Sequence, residues 1–307
     1  MAGSGTKAIV AALAANAGIA VAKFVGYVIT GSGSLLAESV HSVADSGNQG
    51  LLLLGGKRAS RDATAQHNFG FGRERYFWAF IVSLVLFTLG SAFALYEGYQ
   101  KIAHPHEIES LGVAIGILLF AIVLETFSFR TAIVEANKDR IDAGWWEYIR
   151  HSKAPEIPVV LLEDAGALLG LLFALGAVTT AQVTGDPIYD GIGTLGIGVL
   201  LGVIAIVLAV EMKSLLMGES ATRPTHDSIE NIIVEDADVR ALLELKTQYL
   251  GPEQLLAAVK VQFRAEMTTE EIVVGINRIE RAIRAAHPHA IELFVEPDVQ
   301  METTAGD

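Results

Sequence analysis

The run Ser34-Leu-Leu-Ala-Glu38-Ser-Val-His41-Ser-Val-Ala-Asp45-Ser-Gly-Asn48-Gln49, followed at once by Leu51-Leu-Leu-Leu54, sets an imidazole and two carboxylates in an apolar stretch. At about 100° per residue, Glu38, His41, Asp45 and Asn48 share one side of a helix, with His41 and Asp45 one turn apart. Ionisable groups on a membrane helix are costly and face a bundle interior or a water-filled cavity, so they are functional candidates. An imidazole and a carboxylate at i and i+4 can bind one divalent cation or exchange one proton. The stripe reads as half of a metal site.

The elements that position it are membrane helices. The chain is 51% hydrophobic with a mean hydropathy of +0.44, too apolar for an ordinary soluble protein. A membrane helix needs about 20 mainly apolar residues, and six segments meet that requirement, at about 8–30, 34–56, 76–100, 111–134, 158–181 and 187–216. The first is expected to be a retained membrane helix rather than a signal peptide. Lys57, Arg58, Arg61, Arg73 and Arg75 fall between segments two and three, and Lys138, Arg140, Arg150 and Lys153 between four and five. The opposite loops carry Lys101 alone, so both termini are expected on the cytoplasmic side. Between segments four and five, residues 139–150 are too polar to span and are expected along the interface. Pro155 and Pro158 bracket the start of segment five, where a break is expected.

From Thr225 onward the pattern is that of a soluble α+β domain. Ile229, Ile232, Ile233, Val239, Leu242 and Leu243 suggest helical packing; strands follow at about 245–250 and 255–265; Thr268-Thr-Glu-Glu271 is a capping box for a helix to about Ala286; and a strand runs over 291–295. The order is α-β-β-α-β. The expected division is a transmembrane domain over 1–217 and a soluble domain over 218–307.

Composition narrows the chemistry. There are no cysteines, so any metal is held by His, Asp, Glu, Asn or backbone oxygens. Of the net charge of −13, much lies in residues 219–307, which hold 17 Asp and Glu against 8 Lys and Arg; such a tail disfavours nucleic acid and anionic lipid as partners. Neither a His-Glu-x-x-His nor a Gly-x-Ser-x-Gly motif occurs, which weighs against a hydrolase. Asn16 and Lys23 share a face of segment one, with Lys23 expected to snorkel toward the interface. Asn16, Glu38, Asn48 and Glu125 are read as outer-sphere or proton-path groups, against the alternative of inter-helix hydrogen bonding. His104-Pro-His106 and His287-Pro-His289 read as turns.

In this order on six spans, Ser34 to Asp45, His67-Asn-Phe-Gly-Phe-Gly-Arg73, Glu125, Asp164, Asp186-Pro187 and Glu211 to Glu219 carry a family likeness. The chain resembles the cation diffusion facilitators, the zinc-transporter family of metal/proton antiporters, over nearly its whole length. Tyr76-Phe-Trp-Ala-Phe80 and Val159-Val-Leu-Leu-Glu-Asp164 resemble the branch containing the mitochondrial zinc transporters of animals.

The resemblance implies a tetrahedral transport site made by two residues one turn apart on helix two and two more on helix five. His41 and Asp45 match the first pair and Asp164 one of the second. The position four before Asp164 is Val160 instead of the usual His or Asp, and Glu163 is the nearest side chain to complete the set. Zinc is the implied substrate, with manganese, iron, cobalt or nickel as alternatives on ligand type; protons are the implied counter-ion, and no prosthetic group is expected. His67 marks a second, weak loop site in which Thr64 and Phe71 stand where Asp and His are common. The resemblance further implies a cytoplasmic metallochaperone-like (ferredoxin-like) domain and a homodimer. His226, His287, His289 and Glu292 are candidate ligands there without a transferable pattern. The implied place is the cell (inner) membrane, with an organellar membrane as the alternative. Readings from other classes are a metal-dependent membrane enzyme, a metal sensor, or a proton-coupled carrier of organic cations.

Overall fold

A computed structural model describes residues 4–30, 33–105, 111–140, 144–287 and 291–299. The chain divides into two compact units, Met1–Arg61 with Glu74–Lys213 and Asp62–Arg73 with Ser214–Asp307.

The first unit is helical. It contains α1 (Ser4–Thr30), α2 (Gly33–Ala59), α3 (Glu74–Val85), a π-helical stretch (Leu86–Ala92), α4 (Phe93–Ala103), α5 (Leu111–Arg140), the short α6 (Trp145–His151), α7 (Glu156–Thr184) and α8 (Ile188–Met217). Among the described residues five helical segments are long and apolar enough to cross a membrane; α3, the π-helical stretch and α4 make one of them, a 30-residue run. The 27-residue α2 is as long as α1 but is not among the five, because its polar stripe dilutes its apolar content. Its last turn carries Lys57 and Arg58, which suit the negative end of the helix dipole.

α1 packs on α2 and α5, α5 on α7, and α2 on α3. α8 approaches its neighbours through glycines. A β-carbon at Gly198 would lie 2.8 Å from the Leu95 backbone nitrogen, and one at Gly98 would lie 2.7 Å from that of Leu195, so α4 and α8 meet nearly backbone to backbone. Ser91, inside the π-helical stretch, donates to the Gly198 carbonyl at 2.8 Å. Near the basic loops, Arg75 pairs with the buried Glu156, and the Tyr76 hydroxyl donates to the Lys153 carbonyl, tying the starts of α3 and α7.

One expectation holds here and one changes. The break at segment five is the start of α7 itself: Pro155 is its N-cap residue and Pro158 lies in the first turn, where a missing N–H leaves no bond unmade. Segment four continues past residue 134 to Arg140, with Lys138 and Arg140 in the last turn. The interfacial element over 139–150 is α6, and Arg140 stacks over the Trp145 ring at 4.3 Å.

The second unit contains α9 (Arg223–Val234), β1 (Val239–Gly251), β2 (Gln254–Phe263), α10 (Thr269–Ala286) and β3 (Ile291–Pro297), the expected α-β-β-α-β order. The sheet order is β1-β2-β3, with β1 antiparallel and β3 parallel to β2. Its core joins Ile229 and Ile233 of α9, Val259 and Val261 of β2, and Ile279 and Ile283 of α10. Val239, Leu242 and Leu243 belong to β1, not to a helix. The register shifts between Val239 and Ala241 and between Leu242 and Glu244 break the two-residue alternation that marks a strand, leaving an i, i+3, i+4 pattern that imitates a helix. The capping box is present: Thr268 accepts from the Glu271 N–H, and Glu271 accepts from the Thr268 N–H. The segment Asp62–Arg73 packs on the β1–β2 turn. A β-carbon at Gly72 would meet the Leu250 carbonyl oxygen at 2.8 Å and Gly251 Cα at 3.0 Å, so only glycine fits.

Arg278 on α10 donates through Nε and Nη2 to Asp236 at 2.7 and 2.6 Å and through Nη2 to Asp238 at 2.7 Å. These bonds hold both carboxyls below the usual aspartate range. A folded-state pKa below the unfolded value stabilises above about pH 4 and ceases to do so as the pH falls through the folded value. In the full chain, hydrogen-exchange protection of α10, corrected for intrinsic exchange, is therefore expected to fall below about pH 4. Arg278→Leu is expected to lose about fivefold of that protection at neutral pH and to flatten the acid dependence.

Candidate metal centre

The backbone of α2 places residues 38, 41, 45 and 48 on one face, as their spacing requires. The side chains of Glu38 and His41 lie outside those the structure describes. Asp45 is half-buried, and Asn48 and Gln49 are buried. Facing them are Glu163 and Asp164 of α7, Glu125 and Ser128 of α5, and Asn16 and Lys23 of α1, all buried, with Asp164 only 1% exposed. Val160, four residues before Asp164, is fully buried.

Adjacent positions on α7 turn to different neighbours. Glu163 turns to α2, accepting from Asn48 Nδ2 at 2.9 Å on one oxygen and from Gln49 Nε2 at 2.8 Å on the other. Asp164 turns to α5 and accepts from Ser128 Oγ at 2.6 Å. The hundred-degree step between consecutive helical residues produces this split. Asn16 extends the first network by donating to Gln49 Oε1 at 3.4 Å, so amides of α1 and α2 lead to one carboxylate on α7. Glu125 and Glu163 each lie within electrostatic reach of Asp45 and Asp164. The bundle thus gathers Asp45, Glu125, Glu163 and Asp164 around one region.

Such a concentration of carboxylates inside a helical bundle suits a divalent cation or protons. Each Glu163 oxygen keeps a second lone pair after accepting its amide hydrogen. Lys23 departs from expectation: it is buried and donates to Ser42 Oγ at 3.1 Å, within electrostatic reach of Glu125, instead of extending to the interface. An ammonium beside a cluster of carboxylates is better placed than one beside lipid.

His67 lies in the other unit. Its ring packs on Phe71 at 4.6 Å between centroids, and Thr64 and His67 exchange backbone hydrogen bonds at 3.2 and 3.0 Å. It joins no group of three potential ligands among the described residues. One such group does occur on α9, where His226, Asp227 and Glu230 present ligand atoms within 4.8 Å of one another at a largely exposed surface. His287 Nε2 and Ser228 Oγ share a hydrogen bond at 2.9 Å, Glu292 is exposed on β3, and His106 and His289 lie outside the described residues.

Sequence reasoning did not single out Gln49, Ser128, Asp227 or Glu230. Gln49 adjoins the stripe and Ser128 stands three residues after Glu125, so each was within one step of a residue already marked.

The profile of the cation efflux transmembrane domain matches residues 9–217. The chain is 32% identical over 277 residues to the proton-coupled zinc antiporter SLC30A9, mitochondrial, of Mus musculus, an alignment covering 90% of this chain and 48% of that protein. It is 33% identical over 277 residues to the protein of the same name from Xenopus laevis, again covering 90% and 48%. Metal tolerance protein C4 of Arabidopsis thaliana is 30% identical over 281 residues, covering 90% of this chain and 61% of the plant protein. The chain thus spans about half the length of the animal relatives it matches.

Gln49→Leu removes both the donor to Glu163 and the acceptor of Asn16. It is expected to destabilise the helical unit by about 1–3 kcal/mol, read as a lower thermal midpoint of the detergent-purified chain. A midpoint equal to wild type would refute a structural role for this network.

Proposed function

Since the chain belongs to the cation efflux family, we propose that it is a divalent cation/proton antiporter that moves zinc out of the cytoplasm by alternating access. The observation that carries this reading is the burial of Asp164, Glu163 and Glu125 opposite the polar stripe of α2. Burying several carboxylates together is hard to justify by packing alone and natural for a site that a cation or protons occupy in turn.

In this reading His41 and Asp45 on α2 and Asp164 on α7 ligate the metal, and Glu163 completes the set in place of Val160. Ser128 steadies Asp164, while Asn16 and Gln49 steady Glu163. Metal binds only to deprotonated ligands, so its arrival releases protons and protons from the far side release it. Zinc as cargo is supported by the names of the animal relatives, proton-coupled zinc antiporters. The oxygen-rich ligand set favours a second reading in which manganese, iron, cobalt or nickel is carried. His67 contributes at most a weak loop site.

The topology proposed is six spans, with α2 the sixth alongside the five apolar ones, and both termini on the cytoplasmic side. The basic residues Lys57 and Arg58 at the end of α2, Arg61 and Arg73 in the loop that follows, and Arg75 at the start of α3 support that orientation. Residues 1–217 form the transport domain and 218–307 the cytoplasmic domain of a homodimer; exposed Val273, Val274 and Phe294 on the latter suit a second copy. The membrane proposed is the cell (inner) membrane, or an organellar one as in the animal relatives.

The test is transport in proteoliposomes under an imposed pH gradient, with Zn, Mn, Fe(II), Co and Ni. Zinc is expected to accumulate and to stop accumulating when a protonophore collapses the gradient. Asp45→Ala and Asp164→Ala are each expected to lower the rate at least about 100-fold while eluting like wild type on size exclusion. Wild-type transport by either variant rejects the assignment.

A further inference from the structure

Asn48 is 1% exposed, and the two ends of its carboxamide are in unequal circumstances. Nδ2 donates to Glu163 Oε1 at 2.9 Å. Oδ1, equally buried, accepts no hydrogen bond among the described residues. Buried amide oxygens almost always have a partner, and in hydrocarbon no solvent supplies one. Glu163 accepts the amide hydrogens of both Asn48 and Gln49, so the NH2 end of Asn48 faces it and the oxygen turns away.

Asn48 stands three residues after Asp45 and seven after His41, on the same side of α2. Side chains at i and i+3 on a helix are neighbours, close enough for one ion to touch both. We propose that Asn48 Oδ1 is a ligand of the transported divalent cation, a neutral oxygen donor beside Asp45 that sets which metals are carried. This deepens the reading above and rests on it.

The arrangement has a chemical consequence. Glu163 polarises the amide through its N–H, which makes the opposite oxygen a stronger donor toward a cation. A neutral oxygen ligand suits a hard ion such as Mn2+ and adds little for a soft one such as Cd2+. The polar stripe thereby acquires a member that discriminates among metals without adding charge.

The experiment uses the full chain in proteoliposomes and compares KM for Mn2+, Zn2+ and Cd2+ in wild type, Asn48→Leu, Glu163→Gln, the combination of those two, and the swapped pair Asn48→Asp with Glu163→Gln. Asn48→Leu is expected to raise KM for Mn2+ about tenfold or more, with Cd2+ within about twofold of wild type. In the Glu163→Gln background the same loss is expected again, because the oxygen acts on the metal itself. The swapped pair keeps an oxygen toward the metal and is expected to lower KM for Mn2+ relative to Glu163→Gln alone. If Asn48→Leu raises KM equally for all three metals, or adds nothing once Glu163 is Gln, Asn48 only holds Glu163 and the proposal falls. Should Asn48→Leu fail to fold, the swapped pair decides: no improvement over Glu163→Gln overturns it. Failure of the underlying site reads differently, as continued transport by Asp164→Ala.

Discussion

The two-pronged hydrogen bond from Asn48 and Gln49 to Glu163 is what the rest of the helical unit depends on. A buried hydrogen bond contributes about 0.5–1.5 kcal/mol, and losing one partner of a buried pair costs more than the pair contributes. α2 is the long helix that is not among the apolar spans, yet several of its polar side chains find partners on α1 and α7. Ser39 donates to the Ala20 carbonyl at 3.0 Å, Ser42 accepts from Lys23, and Gln49 accepts from Asn16. With these bonds made, a helix too polar to face lipid on all sides can sit inside the bundle. The same bonds fix the rotation of α2, and so the direction in which Asp45 faces.

Much of this was legible in the sequence, because the 3.6-residue period of a helix turns spacing into direction. His41, Asp45 and Asn48 could be placed on one face from numbering alone, and the apolar runs gave the long helices within a few residues. The partners were not legible. Which residue of Glu163 and Asp164 meets α2 and which meets α5 depends on how α7 is rotated against both, and the periodicity of α7 by itself is silent on that. Lys23 shows the same limit: its length permits snorkelling, and the groups that hold it inward, Ser42 and Glu125, lie on other helices. In the C-terminal unit, the irregular first half of β1 disguised a strand as a helix, since bulges are visible only once the partner strand is in place.

The π-helical stretch Leu86–Ala92 marks the place where close packing and helical regularity compete. A π turn widens the helix by one residue. Here it accompanies Ser91 reaching the Gly198 carbonyl and Gly90 lying against Leu201. Farther along, Gly98, Gly191 and Gly198 bring the α4 and α8 backbones together, with the side chains of Leu195, Ile102 and Leu95 packed against the glycines. The polar side of the bundle, around α2 and α7, is joined instead by side-chain hydrogen bonds.

The segment Asp62–Arg73 bears on how this chain can be cut. It packs on the β1–β2 turn as part of the C-terminal unit, although more than a hundred residues of helices separate it from Ser214. A fragment starting at Ser214 would carry every strand and both helices of that unit, and would be incomplete all the same, with the Leu250–Gly251 backbone uncovered where Gly72 lies against it. No single cleavage yields the unit whole. Its integrity is interwoven with the helices that its chain leaves and rejoins, so the two halves of this protein are not separable modules in the genetic sense, even though each has a core of its own.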